Sequence, residues 1–265
     1  MLFHTKTKRT VYRIFLIGVF LSAFGFVGVS QKKPTVDLLR GRKGVLRYSE
    51  WAGVVSMHTN GVALGWRKSK IEKFYLNTFQ QYEMANIRHP RELSRTIDPS
   101  GSGRGVYTFG KQNTLYVLRG GKGKVKYVSD KSRSGNVGIG WMYEGGITAG
   151  ILKPYYLEVY SGKDGTFERS EIKYSEETED LFLNPAKIVK HASFLKGITE
   201  TKLIPGIHGQ AALHFTFRGQ STFVLDLELG AKGDLFLRNI PMMVLEHNTP
   251  YFVSLFVSVQ IGKRK

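Results

Sequence analysis

The stretch YFVSLFVSVQIG, residues 251–262, decides the fold of this 265-residue chain. Every second residue in it is apolar: Tyr251, Val253, Leu255, Val257, Val259 and Ile261. A period of two predicts an extended strand with one continuous apolar face. The opposite face mixes small polar groups with aromatic rings, and only the basic tripeptide KRK follows. We therefore predict the closing strand of a barrel, with its apolar side against lipid.

Three upstream runs, residues 135–152, 207–218 and 221–237, repeat this alternation. Each is at least twice as long as the usual strand of a soluble sheet, about five or six residues. A tilted strand needs roughly 9–11 residues to cross the hydrocarbon of a membrane. The apolar faces carry Trp141, Tyr143 and Tyr251, as interfacial girdles do, and the other faces carry charges, as a polar barrel interior does. The alternative is a soluble sandwich or lipocalin-like barrel with its apolar face inward.

The remaining strand-like runs complete an all-β, antiparallel transmembrane β-barrel of about eight strands. They are residues 50–68, 74–89, 106–119 and 122–130, with the last two joined as a hairpin at Gly120-Gly121. Eight strands place both chain ends on one side of the membrane, so we interpret Thr59-Asn60-Gly61 as a bulge inside the first strand. Asn-Gly is also a strong hairpin signal, and two short strands are the alternative there. For the whole barrel, the alternative is ten strands.

Residues 1–30 have the features of a cleaved secretory signal. Basic residues precede an apolar run at 14–29, and small residues precede the expected cut between Ser30 and Gln31. A retained anchor helix is the alternative, although the run is short for a span. Residues 31–265 would then form the barrel, and we expect it in the cell outer membrane.

The chain carries a formal net charge of +18, which becomes +14 beyond Ser30 because four of the basic residues lie before it. A basic chain can indicate nucleic-acid binding. A secreted barrel instead makes outer-membrane lipid and phosphate-rich lipopolysaccharide the expected partners. Another envelope protein is a further candidate partner, and we expect no nucleic acid. Cysteine is absent, which excludes disulfides and thiolate metal sites. We expect no metal and no cofactor.

The segment 153–206 is the longest stretch without a strong strand pattern, and we expect it to be an extracellular lobe. Residues 155–160 and 166–174 predict a hairpin around a Gly-Lys-Asp-Gly turn. Asn184-Pro185 and Gly197 have the residue types that begin and end a helix, so we predict a helix over 184–197. The expected contacts with a partner or lipopolysaccharide are Phe182, Lys187, Lys190 and Phe194.

The polar faces of the strands predict a closed, charged lumen. Its members are Arg67, Glu144, His208, His214, Arg218, Asp226, Glu228, Lys232 and Asp234. An eight-stranded barrel is just filled by its own side chains, so we interpret this set as a structural network rather than a catalytic one. His208 and His214 are too far apart along one strand to share a metal.

A lipid hydrolase in the barrel wall would need a Ser, a His and a carboxylate converging near a lipid-facing rim. Ser56 and His58 share a strand face, with Glu50 eight residues before His58, so their spacing permits such a site without requiring it. The glycine cluster at 101–105 lacks the strand-to-helix setting of a phosphate loop, and we expect a flexible turn there.

The chain resembles Bacteroidota-type outer-membrane β-barrel proteins in three features. They are the signal ending in Ser30-Gln31, the stretch GGITAGILKPYY at 145–156 and the closing VSLFVSVQIGKRK. The resemblance implies localisation and architecture but no catalytic residues. The leading hypothesis is a non-enzymatic structural or interaction role in the cell envelope of a Gram-negative bacterium. The alternatives are a lipid A or phospholipid hydrolase embedded in the barrel, and a small-solute channel.

Overall fold

A computed structural model describes residues 49–73, 75–97, 105–128, 137–160, 169–217, 223–246 and 248–264. The predicted signal at 1–30 lies outside these residues. The described residues form strands β1 Ser49–His58, β2 Gly61–Lys73, β3 Leu76–Ile87, β4 Ser94–Ile97, β5 Gly105–Thr108, β6 Asn113–Tyr127, β7 Val137–Pro154, β8 Tyr156–Tyr160, β9 Arg169–Lys173, β10 Ile188–His191, β11 Lys202–Phe217, β12 Phe223–Phe236 and β13 Tyr251–Arg264, with one short helix, α1 Glu179–Phe182.

Eight of these strands close into an antiparallel barrel in the order β1-β13-β12-β11-β7-β6-β3-β2. The first and last strands seal it, with pairs running from Glu50 opposite Arg264 to His58 opposite Phe256. A closed barrel leaves no sheet edge, so each of these eight strands has backbone partners on both sides. The predicted fold class and strand number are confirmed.

The predicted bulge at 59–61 is wrong, and the two-strand alternative is correct. His58 pairs with Gly61, which leaves Thr59-Asn60 as a two-residue hairpin loop. Gly61 has φ +151°, a backbone angle that residues with a side chain rarely adopt, and a Cβ there would overlap the Asn86 carbonyl. The Asn-Gly pair is therefore the turn signal of a tight hairpin.

The predicted hairpin at Gly120-Gly121 is also wrong, because β6 runs straight through both glycines. A Cβ on Gly121 would lie 2.5 Å from Glu144 Oε1, and one on Gly120 would touch the Tyr82 ring. These glycines make room for large side chains from the neighbouring strands. The two errors cancel in the strand count. The prediction merged β1 and β2 into one strand, and it divided β6 into two.

The barrel wall is apolar on its outside, and its charged and polar strand residues point to the inside. Along β13, Val253 and Leu255 are 68% and 65% exposed, whereas Ser254 and Ser258 are buried. Aromatic side chains exposed on the same outer wall are Trp51, Trp66, Trp141, Tyr143 and Tyr251. An outward apolar band with aromatic residues is the surface of a barrel that spans an outer membrane, and it is the reverse of a soluble lipocalin-like barrel. Among the residues that the structure describes, no helix is long and apolar enough to cross a membrane.

The two ends of the barrel differ in the length of their connections. At one end, here called the turn end, the connections are residues 74–75, 128–136 and 218–222. At the other, the loop end, they are residues 59–60, 88–112, 155–201 and 237–250. The segment 237–250 folds inward, since Ile240 and Met242 are each 1% exposed and Gln112 N donates to Met242 O at 2.8 Å. This segment covers the mouth of the barrel.

Side chains fill the barrel interior in successive layers along its axis. Toward the loop end lies an apolar layer made of Ala63, Ala85, Ile87, Leu115, Val117, Leu152, Ile204, Phe236, Ile240, Met242, Met243 and Phe252. Charged side chains follow in the direction of the turn end. A second apolar cluster packs among them, made of Phe79, Val125, Tyr127, Met142, Ala212 and Phe256. The side chains of the eight strands thus occupy the interior, as the geometry of a small barrel allows.

The connection at 155–201 forms a small lobe at the loop end. The predicted hairpin is confirmed, since β8 and β9 pair antiparallel, and β10 joins them on the other side of β8. The predicted helix over 184–197 is wrong. Asn184 Oδ1 accepts a hydrogen bond from Ala186 N at 3.1 Å, which makes the Asn-Pro step a local turn before β10 rather than a helix cap. Gly197, with φ +80°, precedes a single turn of 3₁₀-helix at Ile198–Glu200.

Candidate functional site: the interior network

The interior network is a set of buried polar side chains that crosses the barrel. It comprises Arg67, Gln81, Glu83, Arg119, His214, Glu228, Lys232 and Asp234. Period-two alternation puts each of them on the inward face of its strand. Because the barrel is narrow, residues more than a hundred positions apart in sequence meet here.

The first part of the network joins β2 to β12. Arg67 Nη1 and Nη2 donate to the two carboxylate oxygens of Glu228 at 2.6 and 3.0 Å, in the fork geometry that suits Arg and carboxylate. Arg67 Nε donates to Gln81 Oε1 at 2.7 Å. The guanidinium also lies 4.0 Å over the Phe79 ring. The three hydrogen bonds of this arginine therefore reach β3 and β12.

The second part is centred on Glu83. Lys232 Nζ donates to its two oxygens at 2.6 and 2.8 Å, and Arg119 donates to one of them as well. Arg119 then holds Asp234 with a pair of hydrogen bonds of 2.8 and 2.7 Å. Gln81 Nε2 donates to Glu83 Oε2 at 3.2 Å, which joins this part to the first.

Two smaller groups extend the polar interior. His214 Nδ1 lies 2.9 Å from Glu228 Oε1, and Ser258 Oγ donates to the other oxygen at 3.2 Å. Separately, Glu144 accepts from Gln210 Nε2 and lies 3.5 Å from His208 Nε2. His208 Nδ1 in turn lies 2.9 Å from Thr148 Oγ1. Both histidines thus lie beside carboxylates, His214 beside Glu228 and His208 beside Glu144.

The charges of the network balance. The cations Arg67, Arg119 and Lys232 meet the anions Glu83, Glu228 and Asp234, all nearly inaccessible to solvent. Burying a charge is costly unless it is paired and hydrogen-bonded, and these six are both. Such an arrangement links strands across the barrel. Each carboxylate of the central pairs has a cation as its partner.

Most of the predicted lumen residues lie together inside the barrel. Seven of them, Arg67, Glu144, His208, His214, Glu228, Lys232 and Asp234, take part in the contacts described above. Asp226 is also buried, with one oxygen 3.7 Å from His214 Nε2. Arg218 lies outside the described residues. Sequence reasoning missed Glu83, Arg119 and Gln81, although Gln81, Glu83 and Ala85 share the inward face of β3 and could have been found by that parity.

The Ser56, His58 and Glu50 set does not form a lipid-facing triad. Ser56 and His58 both point into the barrel, and both ring nitrogens of His58 lack hydrogen-bond partners among the described residues. Glu50 Oε1 instead accepts from Arg264 Nε at 2.5 Å. No group of three or more His, Asp or Glu in the described part of the chain is arranged to hold a metal ion. Of the glycine cluster, only Gly105 is described.

The four predicted contact residues of the lobe differ in their surroundings. Phe182 is wholly buried in the core of the lobe with Tyr107, Leu157, Val159 and Ile188, so its prediction as a contact residue is wrong. Its place in α1 turns the ring inward against this core. Phe194 is 65% exposed, Lys187 is exposed, and Lys190 is exposed while lying 3.3 Å from Glu158.

An exposed ion pair joins β9 to the 3₁₀ turn at Ile198–Glu200. Lys173 Nζ donates to Glu200 at 2.6 Å, and Tyr156 OH donates to the other oxygen at 2.7 Å. The hydrogen bond from Lys173 lowers the pKa of the Glu200 carboxyl, and that from Tyr156 acts in the same direction. Since both charges face water, this pair adds little to stability.

No protein-family model matches the chain, and no curated protein matches it by sequence. Several solved structures have a similar fold at low identity. The N-terminal β-barrel domain of Pseudomonas aeruginosa OprF matches with 7% identity and a TM-score of 0.33, covering 82% of this chain and 97% of its own. Neisserial surface protein A has 7% identity and a TM-score of 0.39, over 82% and 95%. A major outer membrane protein from Thermus thermophilus has 8% and 0.41, over 83% and 99%.

These sequence identities and TM-scores are too low to assign the protein to a class. Its class follows from the chain itself: eight antiparallel strands close on themselves, their outer wall is apolar, and their charged strand residues are buried inside. Only closed barrels and helices satisfy the backbone inside a bilayer. The chain is an integral β-barrel protein of the outer membrane of the Gram-negative cell envelope.

Proposed function

We propose that the protein has a non-enzymatic structural or interaction role in the cell envelope, as a barrel of the Bacteroidota type. The barrel anchors it, and the lobe at the loop end makes the contacts. The observation that carries this proposal is the lobe itself, which packs a buried core around Phe182 and Leu157 together with Tyr107 of β5. A connection of this length that packs a buried core is typically functional.

The proposed orientation puts the loop end outside the cell. Short turns on the periplasmic side and longer loops on the outer side are the rule in outer-membrane barrels. In this orientation the lobe stands at the level of lipopolysaccharide. Phe194 and Leu195 are 65% and 72% exposed on it, and Lys153 Nζ lies 4.0 Å over the Phe194 ring. An exposed apolar patch beside a cation suits an amphiphilic, phosphate-bearing partner.

The interior gives no support to the two alternatives. A hydrolase would need an accessible nucleophile with its base, whereas Ser56 is 2% exposed and points inward. A channel would need a continuous free path, whereas the described interior is packed by an apolar layer and the interior network. These observations favour a passive barrel.

Replacing residues 156–201 with a short Gly-Ser turn tests the proposal. The barrel should still fold, because β7 and β11 pair along their whole length below the lobe. Binding of purified lipopolysaccharide, or crosslinking to an envelope protein in intact cells, should be lost. A finer variant, Lys187→Gln with Lys190→Gln, should weaken lipopolysaccharide binding more than its matched control at the turn end, Lys126→Gln with Lys263→Gln. Unchanged binding and crosslinking after the lobe is removed would refute the proposed role.

A further inference from the structure

We propose that a basic groove on the outer wall of the barrel, near the turn end, binds the phosphate headgroup of an anionic phospholipid. The groove has a volume of about 580 Å³. Its walls carry four lysines, Lys68, Lys70, Lys122 and Lys124. This basic groove faces the bilayer, so it is separate from the interior network and from the lobe.

The strand register explains how the four lysines come together. Lys68 lies opposite Gln80 of β3, and Gln80 lies opposite Lys122 of β6. One step nearer the turn end, Lys70 and Lys124 flank Thr78 in the same way. Two lysine pairs therefore face each other across a single strand, about 10 Å apart between backbones. Between the lysine pairs, the shorter side chains of Thr78 and Gln80 line the basic groove.

The sequence along each strand places the basic groove at the membrane interface. Toward the turn end, the outward residues of β2 change from Leu64 to Trp66 and then to Lys68. The Trp66 ring stacks on Tyr82 of β3, with ring centroids 6.2 Å apart and 14° between the planes. Trp and Tyr occupy the headgroup level of membrane proteins. The lysines beyond them thus reach the depth at which lipid phosphates lie.

Among the described residues, none of the four lysines forms an ion pair with a carboxylate. Glu72 also lines the basic groove, and it accepts a hydrogen bond from Thr78 Oγ1 at 3.0 Å. One carboxylate against four cations leaves a net positive site. By contrast, Lys173, Lys190 and Lys196 of the lobe each meet a carboxylate.

An anionic phospholipid fits these features better than a soluble anion does. Its acyl chains would lie on the apolar wall beside Tyr143, and its phosphate would lie between the lysine pairs. Juxtamembrane lysine clusters recognise anionic headgroups through this charge complementarity. With the turn end in the periplasm, as in the proposed function, the lipid would come from the inner leaflet of the outer membrane rather than from lipopolysaccharide.

Lipid retention measured by native mass spectrometry tests the inference. Purified full-length protein in a non-ionic detergent would be mixed with phosphatidylglycerol and phosphatidylcholine of identical chains. We expect the unmodified protein to prefer phosphatidylglycerol by about tenfold. The triple variant Lys68→Gln, Lys122→Gln, Lys124→Gln should lose this preference. The control triple Arg88→Gln, Lys202→Gln, Arg238→Gln removes the same charge at the loop end and should keep it.

Three results would overturn the inference. The first is equal retention of the two lipids by the unmodified protein, the second is an equal loss of preference in the control triple, and the third is displacement of phosphatidylglycerol by lipid A at lower concentration. A salt titration of the unmodified protein gives a check that is independent of variant folding, since a phosphate–lysine contact should weaken as salt rises. Lipopolysaccharide binding by the lobe, measured on the same variants, separates a failure here from a failure of the proposed function.

Discussion

The Arg67–Glu228 pair links β2 to β12 inside the barrel. Both side chains are almost completely buried, and they share two hydrogen bonds. Arg67→Met would leave Glu228 charged with only neutral donors or a histidine beside it. We expect a loss of about 3–5 kcal/mol in the free energy of unfolding, measured by urea titration in lipid vesicles.

A double-mutant cycle sharpens this prediction. Arg67→Met with Glu228→Gln removes both charges and should recover part of the loss. Lys173→Met, which breaks the exposed pair with Glu200, is the control and should change stability little. If the single and double interior variants were as stable as the unmodified protein, the pair would not be buried as described.

Gly123 is required by close packing inside the wall. A Cβ at this position would overlap the Phe79 ring and the Tyr143 carbonyl. Gly123→Ala should therefore destabilise the barrel by about 1–3 kcal/mol, as overpacking does. Gly233→Ala is the matched control, because its nearest neighbour would be 4.0 Å away. Similar urea midpoints for the two variants would contradict this packing.

Sequence parity identified four of the six central charges, which are Arg67, Glu228, Lys232 and Asp234. The last three were found because β12 alternates strongly between apolar and charged residues. Glu83 and Arg119, the partners of Lys232 and Asp234, were missed, since β3 alternates weakly and β6 was divided at its glycines. Which cation meets which anion depends on the closure of the barrel, which a single strand pattern does not contain.

At the level of the elements, long alternating strands were predictable and their junctions were not. β7, β12 and β13 begin and end within two residues of the predicted runs. β11 begins at Lys202, before Pro205, where the prediction had a loop. The errors at Asn60-Gly61 and Gly120-Gly121 have one cause: glycine marks a turn in one place and a close packing contact in the other.

The facing of β13 makes a prediction that depends on depth. Leu255 lies at the middle of the outward apolar face, and Tyr251 lies at its loop end. Leu255→Arg should reduce folding stability in vesicles by roughly 2–4 kcal/mol, and Tyr251→Arg by no more than about 1 kcal/mol. Equal effects at the two positions would show that this face is not in contact with the hydrocarbon.

At the level of the whole molecule, the layered interior predicts that the barrel does not conduct. The apolar layer with residues 237–250 covers the loop end, and the interior network fills the space beyond it. Purified protein in a planar bilayer should give no stable current steps in concentrated KCl. Steady, repeatable steps would require a continuous water path and would move the function toward a channel.

The central claim is that one face of each long strand meets lipid while the other meets the filled interior. The chain has no cysteine, so single cysteines along β13 can each carry a bimane fluorophore without a background. Quenching by lipids that carry a nitroxide on the acyl chain then reports contact with the bilayer. Quenching should be strong at Val253, Leu255 and Val257 and weak at Ser254, Phe256 and Ser258. Uniform quenching along the strand, or the opposite alternation, would contradict the account.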